Sequence, residues 1–309
     1  MNAPSLAESS LPASIPVAAD ITGASADAIQ HHYDVSNAFY ALWLDSTMTY
    51  SSALWLEDDE DLETAQRNML DWHLDRAAFG ADMRLLDIGC GWGGLMQRAL
   101  DRHSDANCVG LTLSQAQADA IVAKRDERIE VRLENWQDHR SERAYDAIVS
   151  IGAFEHFARL DQSAQEKVAG YRRFFEFCRD NLVPSGQLSL QTITYENSGR
   201  HQFSDFFANE IFPESDLPRV ADIFQASAGL FEVVELRNDR HHYARTLRLW
   251  LQSMRRNKAQ AIALVGEQKY RTYEKYLALM VVAFHTGTMN LTRLSLRPLP
   301  QLTPLTGRE

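Results

Sequence analysis

Residues 85–94 read Leu-Leu-Asp-Ile-Gly-Cys-Gly-Trp-Gly-Gly, and the fold is decided there. The apolar run from Met83 to Ile88 has the length and content of a buried strand. It ends in a turn with glycines at 89, 91, 93 and 94, and a helix is expected from about Gly94, with Leu95, Met96, Ala99 and Leu100 as its apolar stripe. Glycines at that density let the chain turn sharply and let a ligand reach the backbone without a Cβ in the way. The turn ends at a helix N-terminus, where free N–H groups and the dipole favour a carboxylate or phosphate. Asp87 stands just before it, placed to fix the loop or meet an amino group. The spacing is not the G-x-G-x-x-G of dinucleotide-binding folds.

Downstream, strands and helices alternate. Strand 107–111 precedes a helix opened by Ser114, and Gln117 three residues on completes a capping-box pattern. Residues 129–133 alternate as a half-buried strand, and 145–151 are apolar enough for a central one. A helix over about 164–181 carries Val168, Tyr171, Phe174, Phe175 and Cys178 on one side. The turn Pro184-Ser185-Gly186 leads into a strand from Leu188 to Ile193. Residues 195–230, with Phe203, Phe206, Phe207 and Phe212, break the alternation and read as an inserted cap. A strand at 231–237, helices at about 243–260 and 266–285, and an edge strand Leu291–Leu296 complete the chain. This order predicts an α/β, doubly wound, mostly parallel sheet with its ligand at the carboxyl ends of the strands. Ahead of it, residues 1–27 read as a flexible Ala/Ser/Pro-rich tail, and residues 28–80 as a helical lid, with helices from Ala28 to Trp43 and from Leu62 to Phe79. Residues 81–309 form the main domain.

The 309 residues are 45% hydrophobic, enough for a substantial core. No apolar run approaches the roughly 20 residues that span a bilayer. The first basic residue is Arg67, so a charged leader is not expected, and three scattered cysteines without a CxxC pair suit a reducing, cytoplasmic setting without zinc. The net charge of −11 is concentrated: residues 1–66 hold eleven Asp and Glu and no Lys or Arg. That acidity argues against nucleic acid or anionic membranes as partners. Residues 237–275 carry ten Lys and Arg against three acids, which reads either as a solvated helical face or as a patch for an anionic substrate or acidic carrier.

Asp-x-Gly-x-Gly-x-Gly after a strand resembles motif I of class I S-adenosylmethionine methyltransferases, whose Rossmann-like sheet has seven strands. The likeness extends further, through Met48-Thr49-Tyr50-Ser51, Gly110-Leu111-Thr112-Leu113-Ser114, Ser150-Ile151-Gly152-Ala153-Phe154-Glu155-His156-Phe157 and His242-Tyr243-Ala244-Arg245-Thr246-Leu247, with His32-Tyr33-Asp34 near the start. On these the chain resembles the cyclopropane-fatty-acid and mycolic-acid cyclopropane synthases from about residue 28 onward.

The resemblance implies a cofactor site. Tyr50 and Ser51 would touch the methionine part of S-adenosylmethionine, with Asp87, Gly89, Gly91 and Ile151 around it. Thr112, Leu113 and Gln117 would contact ribose and adenine, and Trp136 would stack near the adenine or pack in the core. In the family a bicarbonate ion, held by a cysteine, a glutamate, a histidine and a tyrosine, takes the final proton. Glu155 and Tyr243 match two of these, but Ser52 stands at the cysteine position and Gln191 at the histidine position. Both can still hydrogen-bond an anion, yet the change favours methyl transfer to an alkene or activated carbon with Glu155 as the base. A cyclopropane synthase proper and an N- or O-methyltransferase remain as alternatives, and the acceptor is expected to be a small molecule, acyl chain or isoprenoid, carrier-bound or diphosphate-bearing.

Overall fold

The computed structural model describes residues 36–195, 197 and 215–300. The tail 1–27, the first part of the helix expected from Ala28, His32-Tyr33-Asp34 and half of the expected cap, residues 196 and 198–214, lie outside them.

A seven-stranded sheet organises the chain: β1 (Arg84–Ile88), β2 (Asn107–Thr112), β3 (Ile129–Leu133), β4 (Tyr145–Ile151), β5 (Leu182–Thr194), β6 (Phe231–Asn238) and β7 (Asn290–Pro298), in the order β3-β2-β1-β4-β5-β7-β6. The first five are mutually parallel, and β7 runs antiparallel to both β5 and β6. The chain winds outward from β1 to β3, then crosses back to β4 on the other side of β1. That reversal opens a crevice beyond the ends of β1 and β4.

The helices are α1 (Asn37–Ala41), α2 (Leu62–Arg76), α3 (Gly94–Arg102), α4 (Gln115–Val122), α5 (Ala164–Asn181), α6 (Val220–Ser227), α7 (Arg240–Arg256) and α8 (Lys258–Thr286), with a short 3-10 turn at Phe154–His156. Alternation along the strands splits the core in two. Leu86, Ile88, Ile148 and Leu190 face Phe174 and Phe175 of α5, while Leu85, Cys108, Ala147 and Val149 face Met69 of α2 and Met96 and Ala99 of α3. A capping box at Ser163 and Glu166 starts α5. At Ser114 only half of the expected box forms, because the Gln117 side chain accepts instead from Thr112 Oγ1 at 2.7 Å.

Two expectations are corrected. Residues 291–296 are not an edge strand: β7 is buried from Asn290 to Leu296 between β5 and β6, and β6 is the edge. Polar residues of β7 are satisfied inside, Thr292 against the Thr194 hydroxyl at 2.9 Å and Ser295 on the Arg76 carbonyl at 3.1 Å. The turn at 184–186 lies within β5, where the register with β4 shifts between Tyr145 and Ala147. The C-terminal helices also differ in length: α8 runs from Lys258 and breaks at Gly266, whose φ of 80° and ψ of 160° are non-helical.

The N-terminal segment is tied to the body as a strap. Phe39, Tyr40 and Trp43 are fully buried against α7 and α8. Trp55 N donates to His242 Nδ1 at 2.9 Å, and Ala53 N to Thr246 Oγ1 at 3.2 Å. Arg245 donates to the carbonyls of Asp58 and Glu60 with its guanidinium 3.8 Å over the Trp55 ring. Arg237 pairs with Asp239, Arg255 with Glu274, and Arg240 with the last carbonyls of α8. Much of the basic 237–275 stretch therefore serves the fold itself.

Candidate active site

A cleft of about 1160 Å³, open mouth included, lies at the crevice beyond the strand ends. From β1 and its turn come Asp87, Gly89 and Gly91; from the end of β2, Thr112, Leu113 and Gln117; from the end of β4, Ile151. Trp136 lies after β3, and Tyr50 and Ser51 arrive on the strap. All ten residues singled out for the cofactor thus border one space, although they span residues 50 to 151. Trp136 lines the cleft while packing on Phe157, Phe174 and Phe177 with ring centroids 5.3–5.5 Å apart.

The glycines divide their duties. At Gly91, with φ at 54°, a Cβ would meet nothing within 4 Å, so it would point into open space. At Gly94 a Cβ would sit 2.8 Å from Thr49 Oγ1, so that glycine admits the strap against the start of α3. Gly93 caps α3 with no side-chain bond to its first-turn N–H groups. Burial alone pushes the Asp87 carboxyl up to about 7; a ligand ammonium group beside it would restore its charge. A glycine cradle, an uncapped helix start and a buried carboxylate are the features an amino-acid-bearing ligand requires.

The other four candidates do not line the cleft. Glu155 sits in the 3-10 turn between Ala153 and His156, which do. Its Oε1 accepts from Ile193 N at 2.7 Å, its Oε2 is buried without a partner among the described residues, and burial pushes its carboxyl up to about 7. Tyr243 packs against Phe284 with centroids 4.5 Å apart. The Ser52 hydroxyl turns to the neighbouring Ala53 carbonyl at 3.1 Å. Gln191 is engaged on both sides, donating to Ser51 Oγ at 2.7 Å and accepting from Arg293 Nε at 2.5 Å and from His73 Nε2 at 3.3 Å.

Several neighbours escaped the sequence reading. Glu134, Asn135 and Gln137 give the cleft a polar wall after β3, and Met48, at φ 56°, and His156 also border it. The His156 ring, held by Ser215 at 2.7 Å, is kept neutral by burial, its pKa lowered to about 4. Tyr276, which donates no charge but lies in the field of Glu155, accepts from Tyr50 OH at 3.3 Å. The polar run after β3 was legible, and Met48 and His156 stand inside motifs quoted from the sequence; Tyr276 depends on tertiary placement.

The mycolic acid cyclopropane synthetase family matches residues 22–294 of the chain. The chain belongs to that family. Among curated members, an S-adenosylmethionine-dependent methyltransferase of Mycobacterium tuberculosis, UmaA, is 38% identical over 285 residues, covering 86% of this chain and 96% of that protein. Cyclopropane mycolic acid synthase 2 of Mycobacterium leprae is 37% identical, covering 81% of this chain and 87% of its own length. Among solved structures, the synthase CmaA1 complexed with S-adenosylhomocysteine superposes with a TM-score of 0.81 at 34% identity, covering 90% of this chain and 99% of that one. This synthetase-family chain is accordingly an S-adenosylmethionine-dependent methyltransferase with the Rossmann-like class I fold, and S-adenosylmethionine is its cofactor. Among the described residues no helix is long and apolar enough to cross a membrane.

Proposed function

We propose that the enzyme transfers a methyl group to a carbon of an unsaturated acyl or isoprenoid acceptor, and that Glu155 removes the closing proton without help from bicarbonate. One observation carries this reading: Glu155 is a buried carboxyl with one oxygen anchored on Ile193 N and the other unpartnered among the described residues. A carboxyl pushed up to about 7 is well matched to accept a proton near neutral pH. The two residues that would have to hold an anion are turned away from that task, Ser52 toward Ala53 and Gln191 toward Arg293 and Ser51.

In this reading Asp87, Gly89 and Gly91 hold the methionine part of the cofactor, Thr112, Leu113 and Gln117 the nucleoside, and Tyr50 and Ser51 close over it from the strap. Bound S-adenosylmethionine supplies an electrophilic sulfonium methyl. The chain's own contribution is to hold an alkene in line with that methyl and keep water away from the cation left on the acceptor. Tyr50, which borders the cleft and packs on Trp250 with ring centroids 5.3 Å apart, offers its ring quadrupole to such a cation. If the base takes a proton from a carbon other than the new methyl, the product is a methylated alkene. The family's mycolic acid synthases make a lipid-like acceptor the first choice to try.

The test is product analysis with unsaturated fatty acyl and isoprenoid substrates, in degassed buffer with and without added bicarbonate. The reading expects an uncyclised methylated product and a rate indifferent to bicarbonate. A cyclopropane, or a rate that rises with bicarbonate, would restore the standard family chemistry.

A further inference from the structure

We propose that Arg293, acting through Gln191, is a positioning residue that fixes the Ser51 hydroxyl as a hydrogen-bond donor into the cofactor cleft. The inference rests on reading that cleft as the S-adenosylmethionine site.

Arg293 is fully buried in the middle of β7, where its neighbours Leu291 and Leu294 belong to the core. A guanidinium there has to be paired and hydrogen-bonded. Asp239 supplies the countercharge and is itself gripped by Arg237 at 3.0 and 3.1 Å. The Ser52 and Ala53 carbonyls of the strap take Nη2 at 2.9 and 3.1 Å, and Nε points at Gln191.

The direction of every later bond follows from donor and acceptor chemistry. Arginine has donors and no acceptor, so the Gln191 atom facing it is the carbonyl oxygen. The His73 ring nitrogen near the same oxygen must likewise carry its proton, which leaves His73 Nδ1 to accept from Ser189 Oγ at 2.8 Å. With its oxygen held from two sides, Gln191 presents its NH₂ group to Ser51 Oγ at 2.7 Å. Ser51 accepts that bond, so its own proton must be given elsewhere. Among the described residues no protein group takes it, and Ser51 borders the cleft, with Oγ 3.5 Å from where a Cβ on Gly152 would lie. The relay thus aims a donor at the bound ligand, where a carboxylate oxygen of its amino-acid part would accept.

The test is calorimetric titration of S-adenosylhomocysteine into the full chain, with thermal melts run alongside, for wild type, Ser51→Ala, Gln191→Glu and the double variant. Gln191→Glu keeps the shape and the Arg293 bond, but its second oxygen takes the Ser51 proton and reverses the hydroxyl. Expected is a loss of affinity of roughly tenfold for each single variant, a Gln191→Glu melting temperature no lower than wild type, and a double variant no weaker than Ser51→Ala alone. Wild-type affinity in Gln191→Glu, or losses that add in the double variant, would overturn the relay. If Gln191→Glu melts early, Gln191→Met takes its place, and its loss should likewise vanish in the Ser51→Ala background. Gly91→Val separates the two levels: were it and Ser51→Ala both to bind like wild type, the cleft assignment would fall, and the relay with it.

Discussion

Glu155 meets two opposed demands. As the proposed base it would have to ionise near neutral pH, yet burial raises its pKa from 4.5 to about 7, so ionising it works against folding. Below pH 4.5 the carboxyl is protonated in both folded and unfolded chains and costs nothing. As pH rises through about 7 the folded chain must ionise a buried group, and the stability that the neutral form contributed is lost. Glu155→Gln should therefore raise the melting temperature at pH 8 relative to wild type and change it little at pH 4. The same variant should lower turnover by about 10²–10⁴-fold, and the wild-type rate should climb as pH passes through 7. A turnover loss without the pH-dependent gain in stability would contradict the assigned burial. Gly91→Val should abolish S-adenosylhomocysteine binding in calorimetry, because its side chain enters open cleft space, while its φ of 54° adds a cost to folding of about 1–2 kcal/mol. Glu155 and the strap pair Tyr50 and Ser51 were legible because each sits in a contiguous motif. Arg293 was not: its partners Gln191 and Asp239 lie 102 and 54 residues away, and an arginine in the run Leu291-Thr-Arg-Leu-Ser-Leu296 reads as the wet side of a strand.

Elements were legible wherever their apolar period was unbroken. β1, α3, β4 and α5 lie within a residue or so of their expected spans because both sheet faces and one helix face are plainly apolar. β7 was misplaced at the edge because its buried polar side chains are satisfied by Thr194, Arg76, Gln191 and Asp239, partners that no local pattern announces. The break in α8 falls where the second C-terminal helix was expected to begin, at about 266; what was not legible is that α8 already starts at Lys258 ahead of it. Gly266 is exposed, and a Cβ there would meet nothing within 4 Å, yet its φ and ψ belong to a region almost closed to other residues. Gly266→Ala should cost about 1–3 kcal/mol in denaturant unfolding; a neutral result would mean the break is dispensable.

At the scale of the molecule, the strap joins the two halves of the site. Its start is buried with α7 and α8, its middle is held by Arg293, Thr246 and His242, and between them it carries Tyr50 and Ser51 to a cleft built by the sheet. If Tyr50 and Ser51 hold the cofactor as proposed, its affinity is coupled to the stability of the N-terminal segment. Trp43→Ala, at a site fully buried among Tyr40, Tyr50 and Trp250, should lose about 3–5 kcal/mol of stability and also weaken S-adenosylhomocysteine binding; lost stability with unchanged affinity would show that the strap and cleft are independent. The same packing brings the Tyr50 ring to the wall of the cleft, and the proposed methylation through a cation would use such an aromatic face. That claim is tested most directly by turning over an unsaturated acceptor with S-adenosylmethionine carrying a fully deuterated methyl group and measuring the product's mass. A methylated, uncyclised product keeps all the deuterium of the transferred methyl, as this account predicts. Loss of one deuterium, with disappearance of the alkene, would mean that the base had drawn its proton from the new methyl to close a cyclopropane, and would contradict it.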